Sequence, residues 1–133
     1  MDKQITVTVE PIEGHNALRM TWQHQVDEHD VKTAFQQITQ ALESADAPLY
    51  IVVDLLNDPR FPLRATVGEA VKAYRHPSLA AWLIVGSNRL AKTVEATLAA
   101  LTRRKNVYWF DTEPEALAYM SQDQQITDRL QNA

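Results

Sequence analysis

Cysteine is absent from this chain of 133 residues, which excludes disulfides, thiolate nucleophiles and cysteine-ligated metals. Glycine occurs three times, too rarely for a phosphate cradle built on a glycine-rich loop. Long apolar runs are also missing. The longest covers residues 79–86, far short of the ~20 residues that a membrane-crossing helix needs. Positive charge is in deficit, with 13 Lys and Arg against 17 Asp and Glu and a net charge of −4. Nothing in that balance suits the neutralisation of nucleic-acid phosphates. The densest basic cluster, Arg103-Arg104-Lys105, reads as favourable charge at a helix end. The opening MDKQITVTVE has no apolar signal core, so a cytoplasmic location is expected.

What is present is periodic. Residues 5–10 alternate Ile5, Val7 and Val9 against polar neighbours, and residues 17–23 alternate again around Leu18, Met20 and Trp22. With a Gly14 turn between them, these two runs predict a β-hairpin. From Asp30 the spacing changes to three and four residues through Val31, Ala34, Phe35, Ile38 and Leu42. That is the spacing of an amphipathic helix, which Asp27 or Asp30 is placed to cap. Residues 49–55 and 79–86 are unbroken apolar runs, as expected for strands covered on both faces. Helical stripes follow each of them: Val67, Ala70, Val71 and Tyr74, then Leu90, Val94, Leu98 and Leu101. Residues 106–110 form a last short strand. Thr112-Glu113-Pro114-Glu115 then opens a fourth helix as a capping box, and the polar tail of residues 121–133 offers Ile126 and Leu130 for one further docked turn. The order ββαβαβαβα predicts one α/β domain spanning residues 1–133, with its core in about residues 5–120.

Three segments resemble the anti-sigma-factor antagonists, the STAS or SpoIIAA-like domains. They are HQVDEHDVKTAFQQITQALES at residues 24–44, the Asp-ended strand at Asp54, and WFDTEPEALAYM at residues 109–120. The resemblance implies a SpoIIAA-like fold: a mixed sheet with an N-terminal hairpin and helices mainly on one face. It also implies a working surface at the start of the second helix, where the family carries a phosphorylated Ser or Thr in a D-S-[ST]-G-like motif. Here that position holds Arg64-Ala65-Thr66-Val67-Gly68, with Arg64 in place of the Asp and Ala65 in place of the first Ser. The family's mode of action makes another protein the expected partner, such as a regulatory kinase or an anti-sigma-like factor.

Thr66 has two readings. Thr66-Val67-Gly68-Glu69 fits a capping box, in which the threonine oxygen accepts the Glu69 amide proton. Phosphorylation of Thr66 would place a phosphate at the positive end of the helix, beside Arg64. The preceding Pro59-Arg60-Phe61-Pro62-Leu63 is apolar and stiffened by proline. It suits a protein-contact surface and equally suits Phe61 and Leu63 folding back under the domain. Arg60, Phe61, Arg64 and Thr66 are therefore the expected partner-binding residues of a non-enzymatic regulatory module.

The alternative function is a carrier or sensor of a small, lipid-like apolar ligand. It arises from Trp22, Trp82 and Trp109, each inside a strand and suited either to core packing or to lining a ligand site. Asp54 and Asp111 at strand ends offer a third class, an acid-assisted enzyme or cation site. Ser87-Asn88 reads as a helix cap or an anion site. His15, His24, His29 and His76 lack metal-ligand spacing. No catalytic residue, metal or cofactor is expected. A homodimer through the exposed edge of the hairpin is a further expectation.

Overall fold

Alternation in the two leading strands and its loss in the next two dictate where each strand can sit. The computed structural model describes residues 4–131, the side chains of residues 126–129 and 131 excepted. The chain runs β1 (Val7–Pro11), β2 (Ala17–Trp22), α1 (Glu28–Ser44), β3 (Leu49–Asp54), α2 (Leu63–Arg75), β4 (Leu79–Val85), α3 (Arg89–Thr102), β5 (Val107–Phe110) and α4 (Glu113–Gln131). The five strands lie in one sheet in sequence order. β1 is antiparallel to β2, and every later pairing is parallel.

This topology sorts the helices. Each step from β2 to β5 moves one place in the same direction. Crossovers of a single hand therefore put α1, α2 and α3 on one face. That face holds the larger core, in which Met20, Trp22, Ile51, Val53, Trp82 and Ile84 meet Phe35, Ile38, Tyr74 and Leu98. Among the described residues no strand follows α4 in the sheet, so the handedness rule does not constrain it. It covers the opposite face, where the fully buried Ala116 and Met120 pack over Tyr50, Val52, Leu83 and Val85. β3 and β4 are thus sandwiched, which is why their sequences do not alternate. On β1 and β2 the polar Thr8, Glu10, Arg19 and Thr21 are exposed or half-buried. Arg19 ties this open side to the first turn of α4, with its Nε 2.5 Å from Glu113 Oε1.

Local chemistry accounts for the element ends. Asp27 caps α1, its carboxylate accepting from the His29 amide at 2.8 Å. Asp30, the other cap candidate, instead accepts from the Thr6 amide and hydroxyl, both at 2.8 Å, and so fastens α1 to β1. Gly86 has φ +106°, and a Cβ there would lie 3.2 Å from the Leu55 carbonyl carbon. Only glycine allows the end of β4 to pass the end of β3 so closely.

Two expectations need correction. The second helix starts at Leu63, with Pro62 at the cap position and no side-chain cap, not at Thr66. The Thr66 amide already donates to the Pro62 carbonyl at 3.1 Å, so the helical ladder begins one turn earlier. The Thr66-Val67-Gly68-Glu69 capping box does not form. The tail of residues 121–133 is also more regular than expected, since α4 continues to Gln131. The expected docking of the Ile126 side chain lies outside the described residues, and Leu130 is 75% exposed.

Candidate functional site

The segment of residues 55–62 leaves the carboxyl end of β3 and is fastened along both sides. On one side the Arg60 amide donates to the His24 carbonyl at 2.8 Å, and the Val26 amide donates to the Arg60 carbonyl at 3.1 Å. These bonds make a short parallel bridge to the β2–α1 connection. The Asn57 side-chain amide adds a bond to the Trp22 carbonyl at 3.1 Å. On the other side stands Asn88, a buried side chain with three bonds. Its oxygen caps α3 by accepting from the Ala91 amide at 3.0 Å. Its nitrogen donates to Asp58 Oδ1 and to the Pro59 carbonyl, both at 2.9 Å. Such a segment is a built wall, because its backbone groups are held by elements distant in sequence.

The four expected contact residues fall on opposite sides of that wall. Arg60 and Arg64 are exposed, and beside them Leu56 is 60% and Leu63 36% exposed. Phe61 and Thr66 face inward at 9% and 3% exposure. The Phe61 ring packs on Trp22 at 5.1 Å between centroids. Of the two readings of Phe61 and Leu63, the fold-back therefore holds for Phe61 and the surface reading for Leu63. Thr66 belongs to the core-facing stripe with Ala70, Ala73 and Tyr74, and its hydroxyl donates to the Pro62 carbonyl at 2.7 Å. A phosphate on that oxygen would place its charge in a buried, apolar surround while α2 stays docked, which is costly. The helix spacing from Thr66 to Ala70 and Tyr74 already carried this signal.

Behind the wall lies an apolar pocket of about 70 Å³, lined by α1, α2, α3 and the sheet. Trp22, Phe35, Phe61, Thr66, Trp82 and Leu98 supply much of its surface. Phe35 sits edge-on to both tryptophans, 6.2 Å from each ring centroid. Tyr74 also lines the cavity, its hydroxyl donating to the Arg104 carbonyl at 2.7 Å. Burial pushes this phenol above its ordinary pKa, and Glu95 adds to the effect. Glu95 reaches the cavity from α3 and accepts from Trp109 Nε1 at 2.7 Å. By contrast the indole nitrogens of Trp22 and Trp82 are buried with no acceptor. Asn88, Tyr74 and Glu95 went unrecognised in the sequence for this role. Asn88 reads as an ordinary cap there, and its second function depends on where residues 58 and 59 return.

The other candidates do not converge. The Asp54 carboxylate accepts from the Leu56 amide at 3.0 Å in a local turn. It is separated from Asp111 by β4, a gap of about 10 Å for two strand spacings. The His24 ring bonds the carbonyls of Asn57 and Asp58, and His76 accepts from the Ser78 amide. Ser87 and Arg89 sit with Arg60 around a shallow polar cleft at the start of α3. Among the described residues no group of three or more acids and histidines is placed to hold a metal. No helix among them is long and apolar enough to cross a membrane.

No protein-family model matches the chain, and no curated protein does. A solved structure does match: an uncharacterised protein of the DUF3478 family, with a SpoIIAA-like fold, from Shewanella loihica PV-4. The two share 13% sequence identity, with a TM-score of 0.62 over 90% of this chain and 98% of that one. Element order, sheet topology and this superposition together establish that the chain has the SpoIIAA-like fold.

Proposed function

We propose that this chain is a non-enzymatic, ligand-sensing module of SpoIIAA-like fold, whose site is the cavity beneath residues 55–70. The observation that carries the proposal is an apolar pocket of about 70 Å³ among core residues, walled largely by aromatic side chains and bordered by the pinned Phe61 segment. Native cores are close-packed with few voids, and concave apolar pockets are where small ligands are held. Its size favours a compact ligand. An apolar cavity of ~150 Å³ takes benzene, and this one is about half as large. A long acyl chain would require Phe61 to move. The proposal is tested by xenon titration followed by NMR. Saturable shifts at Val94 and Leu98 support it. Shifts that grow linearly and without preference for these residues refute it.

A second reading concerns the outer side of the same segment. Two exposed leucines, Leu56 and Leu63, accompany the exposed Arg60 and Arg64. A mixed apolar and cationic patch of this kind suits a protein partner with an acidic rim. In SpoIIAA-like regulators that partner is a regulatory kinase or an anti-sigma-like factor. Occupancy of the cavity would reach this surface through Phe61, one residue from Arg60. A Leu56→Ser, Arg60→Glu double variant should melt like the wild type and lose any partner captured by it. Retention of the partner by the variant refutes this surface.

A further inference from the structure

We infer that the free edge of β5 pairs antiparallel with the same edge of a second copy of this chain, joining the two sheets into one. β5 is a sheet edge, bonded to β4 alone. The amides of Trp82 and Gly86 donate to the carbonyls of Asn106 and Phe110, at 2.9 and 2.8 Å. Backbone direction alternates along a strand. Residues 106, 108 and 110 therefore face β4, and the amides and carbonyls of Val107 and Trp109 point outward. No turn, loop or cap among the described residues takes up those groups. Edge strands are normally blunted by charge, proline or a bulge. Val107-Tyr108-Trp109-Phe110 has no charge and no proline, and its pairing with β4 runs without a register shift. The opposite edge of the sheet is blunted: β1 carries Glu10 and ends in Pro11, which has no amide proton.

The charges flanking β5 select the occupant. The strand follows Arg103-Arg104-Lys105 and leads into Asp111, with Glu113 and Glu115 beyond it. Two identical edges related by a twofold axis run antiparallel, which lays the basic end of each strand along the acidic end of the other. Parallel pairing would set like charges together. The outward groups fix the register. Val107 of each copy exchanges both backbone bonds with Trp109 of the other, and the two Tyr108 residues meet on the axis as a non-hydrogen-bonded pair. The same register brings Lys105 of each copy beside Asp111 of the other. Both are exposed, and neither has an ion pair among the described residues. Tyr108 is 40% exposed and already packs on Tyr119, 4.9 Å between ring centroids, so its pairing buries further aromatic surface. With four residues in each strand, the contact is small and the dimer weak.

The experiment is sedimentation velocity on the whole chain between about 10 µM and about 1 mM, the range of weak association. The mass is expected to rise toward that of a dimer, with slowed hydrogen exchange at the Val107 and Trp109 amides in the concentrated sample. Lys105→Asp and Asp111→Lys each turn two attractive contacts into two repulsive ones and should weaken the dimer about tenfold. An equimolar mixture of the two variants restores both attractions in a heterodimer and should associate as the wild type does. Both side chains are exposed, so each variant should melt like the wild type. A chain that stays monomeric throughout the range overturns the proposal and leaves the edge to a strand of another protein. A dimer that neither variant weakens, or that the mixture fails to restore, overturns the antiparallel β5 contact. None of these outcomes bears on the pocket beneath residues 55–70.

Discussion

Replacing Phe61 with alanine separates a packed wall from a surface loop. Phe61 is 9% exposed, touches Trp22 and borders a cavity that already exists. Buried Phe→Ala changes cost about 3–5 kcal/mol. Slight exposure moves this site toward the lower figure. Collapse will not rescue it, because Asn88 and the bridge to His24 and Val26 hold the backbone in place. A loss of about 3 kcal/mol is therefore expected. Unfolding entropy of roughly 2.1 cal/mol/K per residue gives about 0.28 kcal/mol/K for this chain, so the melting temperature should drop by about 11 °C. Circular dichroism melts and urea titrations measure both quantities. The space vacated by the ring joins the cavity, so benzene should stabilise the variant more than the wild type. A loss under about 1 kcal/mol, with no response to benzene, would refute the packing role and return Phe61 to the surface.

Other sites yield sharper contrasts. Thr66→Val should cost no more than about 1 kcal/mol, since the Pro62 carbonyl keeps its bond from the residue 66 amide. Thr66→Glu should cost about 3 kcal/mol or more by burying a charge; urea titration compares the two, and equal stability would contradict the buried hydroxyl. Asn88→Ala removes a helix cap together with two bonds to the Asp58–Pro59 turn, for an expected loss of about 2–3 kcal/mol. Hydrogen exchange should then report earlier opening of residues 57–62, and unchanged exchange would show that the clamp is unimportant. Gly86→Ala combines positive φ with a 3.2 Å approach to Leu55 and should lower stability by about 1–3 kcal/mol; a neutral thermal melt would contradict this. Burial holds the phenols of Tyr50, Tyr74 and Tyr119 above their ordinary value of 10.0, with Asp123 adding to the effect at Tyr50. Below pH 10 both folded and unfolded chains keep these protons, and stability is intact. Above it the unfolded chain ionises first, so stability falls as pH rises toward the folded values. Tyrosinate absorbance should therefore rise together with the loss of helix signal. Full ionisation with the helix signal intact would refute the assignment.

Much of the fold follows from local spacing. Alternation along Val7, Val9, Leu18, Met20 and Trp22 marks strands with one wet face, and the unbroken Leu49–Asp54 run marks a strand with none. Those patterns set the element order, and the right-handed crossover rule then leaves few ways to assemble it. The helix that carries the candidate site was legible in kind but not in phase. Its first turn forms at Leu63 because the preceding segment is held by His24, Val26 and Asn88. No window of neighbouring residues contains that information.

The sequence by itself determined an α/β chain of this element order, because hydrophobic period depends only on residues that are near each other along the backbone. Tertiary structure alone decided that Phe61 turns inward while Arg60 and Arg64 turn out. It alone also left an apolar pocket beneath residues 55–70. Both outcomes depend on how side chains from four strands and three helices fill a shared volume, and that sum of shapes has no signature in any one segment.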